Sequence, residues 1–487
     1  MKISIAYPPI PSSKGIPEIS QNRQFNWFSN PTYVYPVVPA YAATLLNHAG
    51  YDVLWDDGIA EEMGLPAYLE RMSRSKPDLV VMETKTPVIK TQWKIIEMLK
   101  ERLPDTKVVL VGDHVTALPE ESMERRGVDY VLTGGDYDFL LLNLCNHLSK
   151  GEALEPGIWY RDNDVIKNAG QFLLNHDLNS LPFIDRDLTL WRLYSEKNGN
   201  FKKLPGTYTM AGRDCWWHNC TFCAWTVLYP KYRVRTPESL LDEVGELIER
   251  YNVREIFDDT GTFPVGNWLE RFCRGMIDRG YHHRVNIGCN LRFGAVKPEQ
   301  YDLMKEAGFR YILFGFESAN QSTLDRICKG LKVNDVIEGC RLVKKAGLEP
   351  HITAMIGYPW ETEQDASRTI ALAQDIFREG NADTLQATLV VPYPGTPLFK
   401  ECRENGWLLT EDWDDYDMRQ PVMKTPMDGD TLLQYTQNLY RIFFTPGYVL
   451  RRLRSIRSFE DIKFLVRGAM KVLGHLKDFG RQGNVVK

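Results

Sequence analysis

Cys215, Cys220 and Cys223 stand within nine residues, in the stretch GRDCWWHNCTFCAW that runs from Gly212 to Trp225. Thiolates are soft metal ligands, and three so close together suit a metal centre. Structural zinc normally takes four ligands. Only His218 lies near enough to be the fourth, and the spacing is cramped. Plain packing is a poor account, because Trp216, Trp217, Asn219 and Thr221 do not make an apolar core pattern. Thiolates also hold iron–sulfur clusters, usually four to a [4Fe–4S] cube. A site with three leaves one iron open for a substrate or cosubstrate, so the count of three carries functional information. The other six cysteines (Cys145, Cys273, Cys289, Cys328, Cys340, Cys402) stand singly in apolar or helical surroundings and read as core.

The thiols need a scaffold. Strand-like runs recur around them: TYTMAGR, EIFDDTGTF, VNIGCNLRF, YILFGFESAN, HITAMIGYP and LQATLVVPYPGTP, with helical patterns between. Six β/α units make a partial barrel, and in β/α barrels the functional groups gather at the carboxyl ends of the strands. Asp258, Asp259, Asn290, Arg292, Glu317, Ser318 and Thr388 fall there.

Residues 1–150 alternate short apolar runs with helical patterns. Ile3–Tyr7, Val53–Asp56, Leu79–Met82, Val108–Val111 and Tyr130–Leu132 suit buried parallel strands. Val38–Ala49, Gln92–Arg102 and Tyr137–Leu148 are the helices between. Such alternation predicts a doubly wound sheet that binds its ligand beyond the strand ends. Gly112, Thr116 and Gly134 lie there, where glycines and hydroxyls let backbone approach a large flat cofactor.

The expected organisation is α/β throughout. A doubly wound sheet occupies 1–150, a connecting arm 151–204, the partial barrel 205–400 and a helical region 401–487. The net charge of -5 gives no sign of a nucleic-acid partner, and 43% hydrophobic with 25% charged residues is globular composition. No apolar run reaches the roughly 18 residues of a membrane span. MKISIAYPPI reads as a first strand and not as a signal peptide. With unpaired cysteines this predicts a cytoplasmic protein.

The cysteine loop resembles the signature of radical S-adenosylmethionine (SAM) enzymes, C-x-x-x-C-x-x-C with an aromatic before the last cysteine. Phe222 fills that position, while the first gap holds four residues, Trp216 to Asn219. FDDTGTF, FGFESAN, MIGYPWET and PYPGTPL resemble strand motifs of the cobalamin-dependent branch, with Trp360 where that branch has Gly. VPAYAATLLNHAGYDVLWDD, VVLVGDHVTALPEE and VDYVLTGGDYDFL resemble its cobalamin-binding domain. The loop after the first strand, YPPIPSSKG, lacks the D-x-H-x-x-G whose His ligates cobalt, and His114 follows a later strand.

The resemblance implies a [4Fe–4S] cluster on Cys215, Cys220 and Cys223, with SAM on the open iron and Phe222 beside it. Asp258 or Asp259 would meet the methionine amino group, and Glu317 and Ser318 the ribose or methionyl end, with Arg292 in the same mouth. Gly112, Thr116 and Gly134 would approach cobalamin. The implied chemistry is reductive cleavage of SAM to a 5′-deoxyadenosyl radical, fed by a donor such as flavodoxin or ferredoxin. Methylation of an unactivated carbon is the leading outcome. The alternatives are a radical cyclase or oxidase on a lipid or polycyclic substrate, and a non-enzymatic metal-binding protein. The C-terminal stretch is basic and amphipathic: Arg451, Arg452, Arg454, Arg457, Lys463, Arg467, Lys471, Lys477 and Arg481 face only Glu460, Asp461 and Asp478. It reads as a domain-packing helix with a solvated basic face, or as a peripheral membrane contact that gives access to a lipid-like substrate.

Overall fold

The computed structural model describes residues 1–19, 25 and 27–480. Two parallel sheets organise it. The first contains β1 (Lys2–Tyr7), β2 (Asp52–Asp57), β3 (Leu79–Thr84), β4 (Lys107–Gly112) and β5 (Tyr130–Leu132), followed by β6 (Ile158–Asp162) and β7 (Val165–Asn168). Their order is β2-β1-β3-β4-β5-β6-β7. The first five are parallel, and the last two are an antiparallel hairpin that extends the sheet past residue 150. Every residue of β3 is buried, as expected where helices cover both faces of a parallel sheet. The 2-1-3-4-5 order puts the switch point between β1 and β3, where doubly wound sheets open a ligand crevice.

The second sheet contains β8 (Gly206–Thr209), β9 (Glu255–Asp258), β10 (Asn286–Leu291), β11 (Phe309–Glu317), β12 (Glu349–Ile356) and β13 (Thr384–Leu389). All neighbours are parallel and sequential, and β8 and β13 remain unjoined edges. This is the six-unit open barrel that the strand motifs predict. Its helices start where local chemistry sets them. Thr236 accepts from the Ser239 amide ahead of Pro237, and Thr362 with Asp365 forms a reciprocal cap.

One apolar core runs through both sheets, from Ile3 and Val81 to Ile312 and Leu385. The N-terminal ends of the barrel strands are closed by an ion-pair cluster in which Arg310 bridges Glu255 and Glu349, each at 2.5 Å. Helices Pro446–Arg454 (α1) and Phe459–Gly480 (α2) cross this closed end. Among the described residues, no helix is long and apolar enough to cross a membrane.

Candidate functional site

Beyond β8, Gly212–Arg213 pairs antiparallel with Arg233–Val234, and the chain then enters the cysteine loop. Asp214 and His218 take left-handed backbone angles, φ 73° and 55°. The His218 ring Nδ1 closes on the Asp214 carboxylate. This side-chain tie, four residues long, spans the enlarged first gap of the motif and folds the additional residue into a compact turn. Gly261 lets the loop seat on the barrel, since a Cβ there would lie within 2.9 Å of the Asp214 and Cys215 backbone. Trp217 donates to the Cys328 carbonyl at 2.8 Å and packs against Gly330. The Arg292 guanidinium lies 4.4 Å from the Trp217 ring centre and 5.6 Å from that of Trp216. The two tryptophans thus anchor the loop to Arg292 at the end of β10 and to the chain after the Gln321–Arg326 helix.

Cys215, Cys220 and Cys223 line one cleft at the carboxyl ends of the barrel strands, with an empty volume of about 1090 Å³ that opens to solvent. Phe222, Asn290, Arg292, Glu317 and Lys329 share it, and Leu313, Met355, Tyr393 and Met418 supply apolar wall. Among the described residues, no three His, Cys, Asp or Glu side chains converge to hold a single metal ion. A tetrahedral zinc with Zn–S of about 2.3 Å would draw thiolates to within about 4 Å of one another. The three thiols here face a cavity with room for a group larger than a single ion. Burial pushes the Cys220 thiol up, and the Lys329 and Arg292 cations oppose that shift. Two cations beside three thiols match the negative charge that cluster thiolates bring. Cys328, the exposed cysteine, does not line the cleft, and the remaining five are buried elsewhere.

The structure divides the other predicted residues. Glu317 ends β11 at φ 62° and projects into the cleft, where it meets Lys329 Nζ at 2.7 Å and Thr353 at 3.4 Å. Its partner is therefore Lys329 and not the following helix, whose first turn it leaves uncapped. Lys329 carries no motif signal, because it sits in an irregular loop and reaches Glu317 only through the fold. Asp258 does not line the cleft. It accepts from Thr209, Ala211 and Thr260 and so ties β8 to β9 beneath the cysteine loop, and burial raises its pKa. Asp259 and Ser318 also stand outside the cleft lining. Asn290 comes within 3.5 Å of Asp259, and the Ser318 hydroxyl donates to Glu361 at 2.6 Å. Gln386 lines the cleft where Thr388 was expected.

The loops of the first sheet pack against the residues that flank the cysteine loop and do not themselves line the cleft. The Thr116 hydroxyl donates to the Gly112 carbonyl at 2.7 Å and accepts from the Gly134 amide at 3.0 Å, which joins the two predicted loops. Gly112, at φ 113°, admits no side chain, since a Cβ would sit 2.6 Å from the Thr84 carbonyl. Gly135 donates to the Leu228 carbonyl at 2.8 Å, directly after the cysteine loop. Arg213 joins the two sheets by bonding to Asp136 at 2.7 Å and to both oxygens of Asp138. Arg233 also meets Asp136, at 2.5 Å. The Thr116 hydroxyl and the Gly134 amide are thus spent on each other, and Phe172 and Tyr229 lie against Gly134 and Gly135. His114 is enclosed between Trp93 and Trp413, with Thr86 at 3.1 Å from Nδ1 and Glu121 at 3.2 Å from Nε2.

Comparisons with known proteins agree with this geometry. Residues 212–373 match the radical SAM superfamily, and residues 30–139 match the B12 binding domain. The chain is 27% identical over 444 residues to an uncharacterized methyltransferase of Pyrococcus horikoshii, covering 90% of this chain and 93% of that one. It is 27% identical to the anaerobic magnesium-protoporphyrin IX monomethyl ester cyclase of Cereibacter sphaeroides, over 84% of this chain and 67% of the other. Its fold is similar to that of OxsB, a cobalamin-dependent SAM radical enzyme solved with aqua-cobalamin and SAM bound. The TM-score is 0.71 at 14% identity, over 98% of this chain and 71% of that one. With the superfamily match, the non-enzymatic reading falls away. Residues 212–373 thus form a radical SAM domain behind a B12-binding domain at residues 30–139, and the chain is an enzyme whose cofactors are a [4Fe–4S] cluster, SAM and cobalamin.

Proposed function

We propose that the enzyme methylates an unactivated carbon of a small molecule with a flat or lipid-like apolar body. The observation that supports this reading is the packing of the B12-domain loops against the chain on either side of the thiol loop, through Arg213 and Gly135. A methyl carrier and a radical generator would then address one substrate. When bound, the cluster and SAM supply the 5′-deoxyadenosyl radical, and cobalamin supplies a methyl group.

This chain's residues have simpler tasks. Cys215, Cys220 and Cys223 ligate the cluster, and no other cysteine does. Phe222 packs beside it. Lys329 and Arg292 offset the thiolate charge and present cations to an anionic group of the cosubstrate. Glu317 accepts hydrogen bonds from ribose hydroxyls or pairs with the methionyl ammonium, and Lys329 fixes its carboxylate. Of the two adjacent acids, Asp259 is assigned to that end, since Asp258 is spent on tying β8 to β9. Gly112, Thr116 and Gly134 shape the crests that meet cobalamin, whose cobalt takes no protein His. The wall of Leu313, Met355, Tyr393 and Met418 excludes water and receives the apolar substrate body. A small flavodoxin- or ferredoxin-like donor supplies electrons. All nine cysteines are unpaired, which suits a reducing cytoplasm.

Ring closure or oxidation is the second reading, and the similarity to the magnesium-protoporphyrin ester cyclase favours it. SAM carrying a deuterated methyl group separates the two. Methylation places the label in the product, whereas cyclisation or oxidation yields 5′-deoxyadenosine and an unlabelled product.

A further inference from the structure

Two exposed apolar helices cross the end of the barrel that lies away from the cleft. One face of α2 is fastened to the body. Glu460 pairs with Arg254 at 2.5 Å, Asp461 with Lys202 at 2.8 Å, and Phe464 lies 5.7 Å beneath Arg310. Arg467 donates to the Phe201 carbonyl at 2.8 Å, and Lys471 to the Asn30 side chain at 3.0 Å. In α1, Arg452 pairs with Asp383 at 3.2 Å, at the start of β13. Each of these partners lies at or near the N-terminal end of a barrel strand, apart from Asn30 of the first sheet's side.

The opposite face of α2 is bare. Phe459, Ile462, Val466, Met470 and Leu473 repeat at three- and four-residue steps and are 69%, 42%, 53%, 51% and 58% exposed. That spacing makes one stripe, roughly 20 Å long at 1.5 Å per residue. Val449, Leu450 and Leu453 of α1 are exposed as well, and Phe444 lies just before them. Nine of the fifteen exposed large hydrophobic residues among the described ones therefore fall in this short region. A concentration of this kind marks an interaction surface.

The charge beside the stripe identifies the partner. The exposed ionisable residues from 441 to 474 are Arg441, Arg454, Arg457 and Lys463, all cationic. The region's two acids, Glu460 and Asp461, are held by Arg254 and Lys202. The side chains of Lys477, Asp478 and Arg481, part of the basic pattern in the sequence, lie outside the described residues. An apolar stripe flanked by cations is the pattern of a helix lying in the interface of an anionic bilayer. A second copy of this chain fits less well, because a symmetric pairing would bring like cations together. We infer that α1 and α2 form a plate that docks the enzyme peripherally on an anionic lipid surface. The cysteine cleft then faces away from the bilayer, so this face serves as an anchor and not as the route of a lipid into the barrel mouth. The inference does not depend on which reaction the cleft performs.

Sedimentation of the full reconstituted chain with phosphatidylcholine vesicles, with and without phosphatidylglycerol, tests it. The expected result is about tenfold or more bound protein on the anionic vesicles, falling as salt rises. Replacing Phe459, Val466 and Met470 together with Ser should abolish binding and leave SAM cleavage unchanged. Charge reversal, Arg457→Glu with Lys463→Glu, should remove the anionic preference without altering the apolar stripe. Equal binding to neutral and anionic vesicles, or none to either, would overturn the inference. So would a wild-type dimer that the Ser variant converts to monomer without any vesicle binding, since the plate would then be a self-association face.

Discussion

Arg213, two residues ahead of Cys215, donates to both carboxylate oxygens of Asp138, which lies 75 residues earlier and belongs to the B12-binding domain. Both side chains are buried, 1% and 0% exposed, and Asp136 takes a further bond from the same guanidinium. The cysteine loop is thus positioned by the neighbouring domain through one fork of charge-assisted hydrogen bonds.

Arg213→Met should be strongly destabilising, because it leaves Asp138 buried without a cation. Losing one partner of such a pair costs about 3–5 kcal/mol. The thermal midpoint of the variant should fall well below that of the wild type. Arg213→Met with Asp138→Leu should recover part of the loss, since no unpaired charge then remains on Asp138, while Asp136 keeps Arg233. A double variant no more stable than Arg213→Met would show that the pair is not what the single change disrupts.

Cys215→Ala, Cys220→Ala and Cys223→Ala should each abolish the cluster and SAM cleavage. Cys328→Ala, a change at the exposed cysteine whose carbonyl accepts from Trp217, should keep both. Iron content and visible absorption after anaerobic reconstitution measure this directly.

Glu317→Gln keeps the shape of the side chain and removes its charge. It should weaken SAM binding roughly ten- to a hundredfold, equivalent to about 1.5–3 kcal/mol, and leave cluster absorption intact. Lys329→Met should couple to it non-additively, because the two residues share one ion pair. Titration of SAM into the reconstituted variants gives the affinities. An unchanged affinity in Glu317→Gln would confine Glu317 to holding Lys329 in place.

His176 links the charge network to pH. Burial lowers its pKa, but hydrogen bonds to Asp136 and Glu155 prevail and raise it to about 9. The folded state thus holds the proton more tightly than the unfolded chain, whose His titrates near 6.5. The stabilisation is fully present below about pH 6.5 and is lost as pH rises through about 9. The difference in melting temperature between wild type and His176→Gln should be largest near pH 6 and vanish near pH 10. A difference independent of pH would assign His176 a packing role alone, through its stacking on Phe139.

Cobalamin bound to this chain should show no protein-nitrogen hyperfine coupling on cobalt in electron paramagnetic resonance. The residues from Pro8 to Gly15 include no His, and His114 is enclosed by tryptophans with a polar partner at each ring nitrogen. His114→Ala should therefore keep the same spectrum. A nitrogen splitting that disappears in that variant would reverse the assignment.

The sequence by itself determined the two sheets, their parallel strands and the thiol loop. Those features are written in short-range terms: apolar runs such as LVVMET that only a doubly covered strand buries, turns at strand ends, and three thiols at fixed spacing. Tertiary structure decided which polar groups meet. Asp258 and Asp259 are adjacent in sequence, yet Asp258 is consumed by Thr209, Ala211 and Thr260, because β8 and β9 pair side by side. Lys329 enters the site only because the chain after the Gln321–Arg326 helix folds back over Glu317. The basic C-terminal stretch showed its amphipathic pattern in the sequence. The fold alone determined which cations face inward, since Arg452 and Arg467 find partners at the closed end of the barrel while Arg454, Arg457 and Lys463 do not turn toward it. Periodicity and spacing act along the chain, whereas a buried charge takes whichever partner the packed fold brings within hydrogen-bond reach.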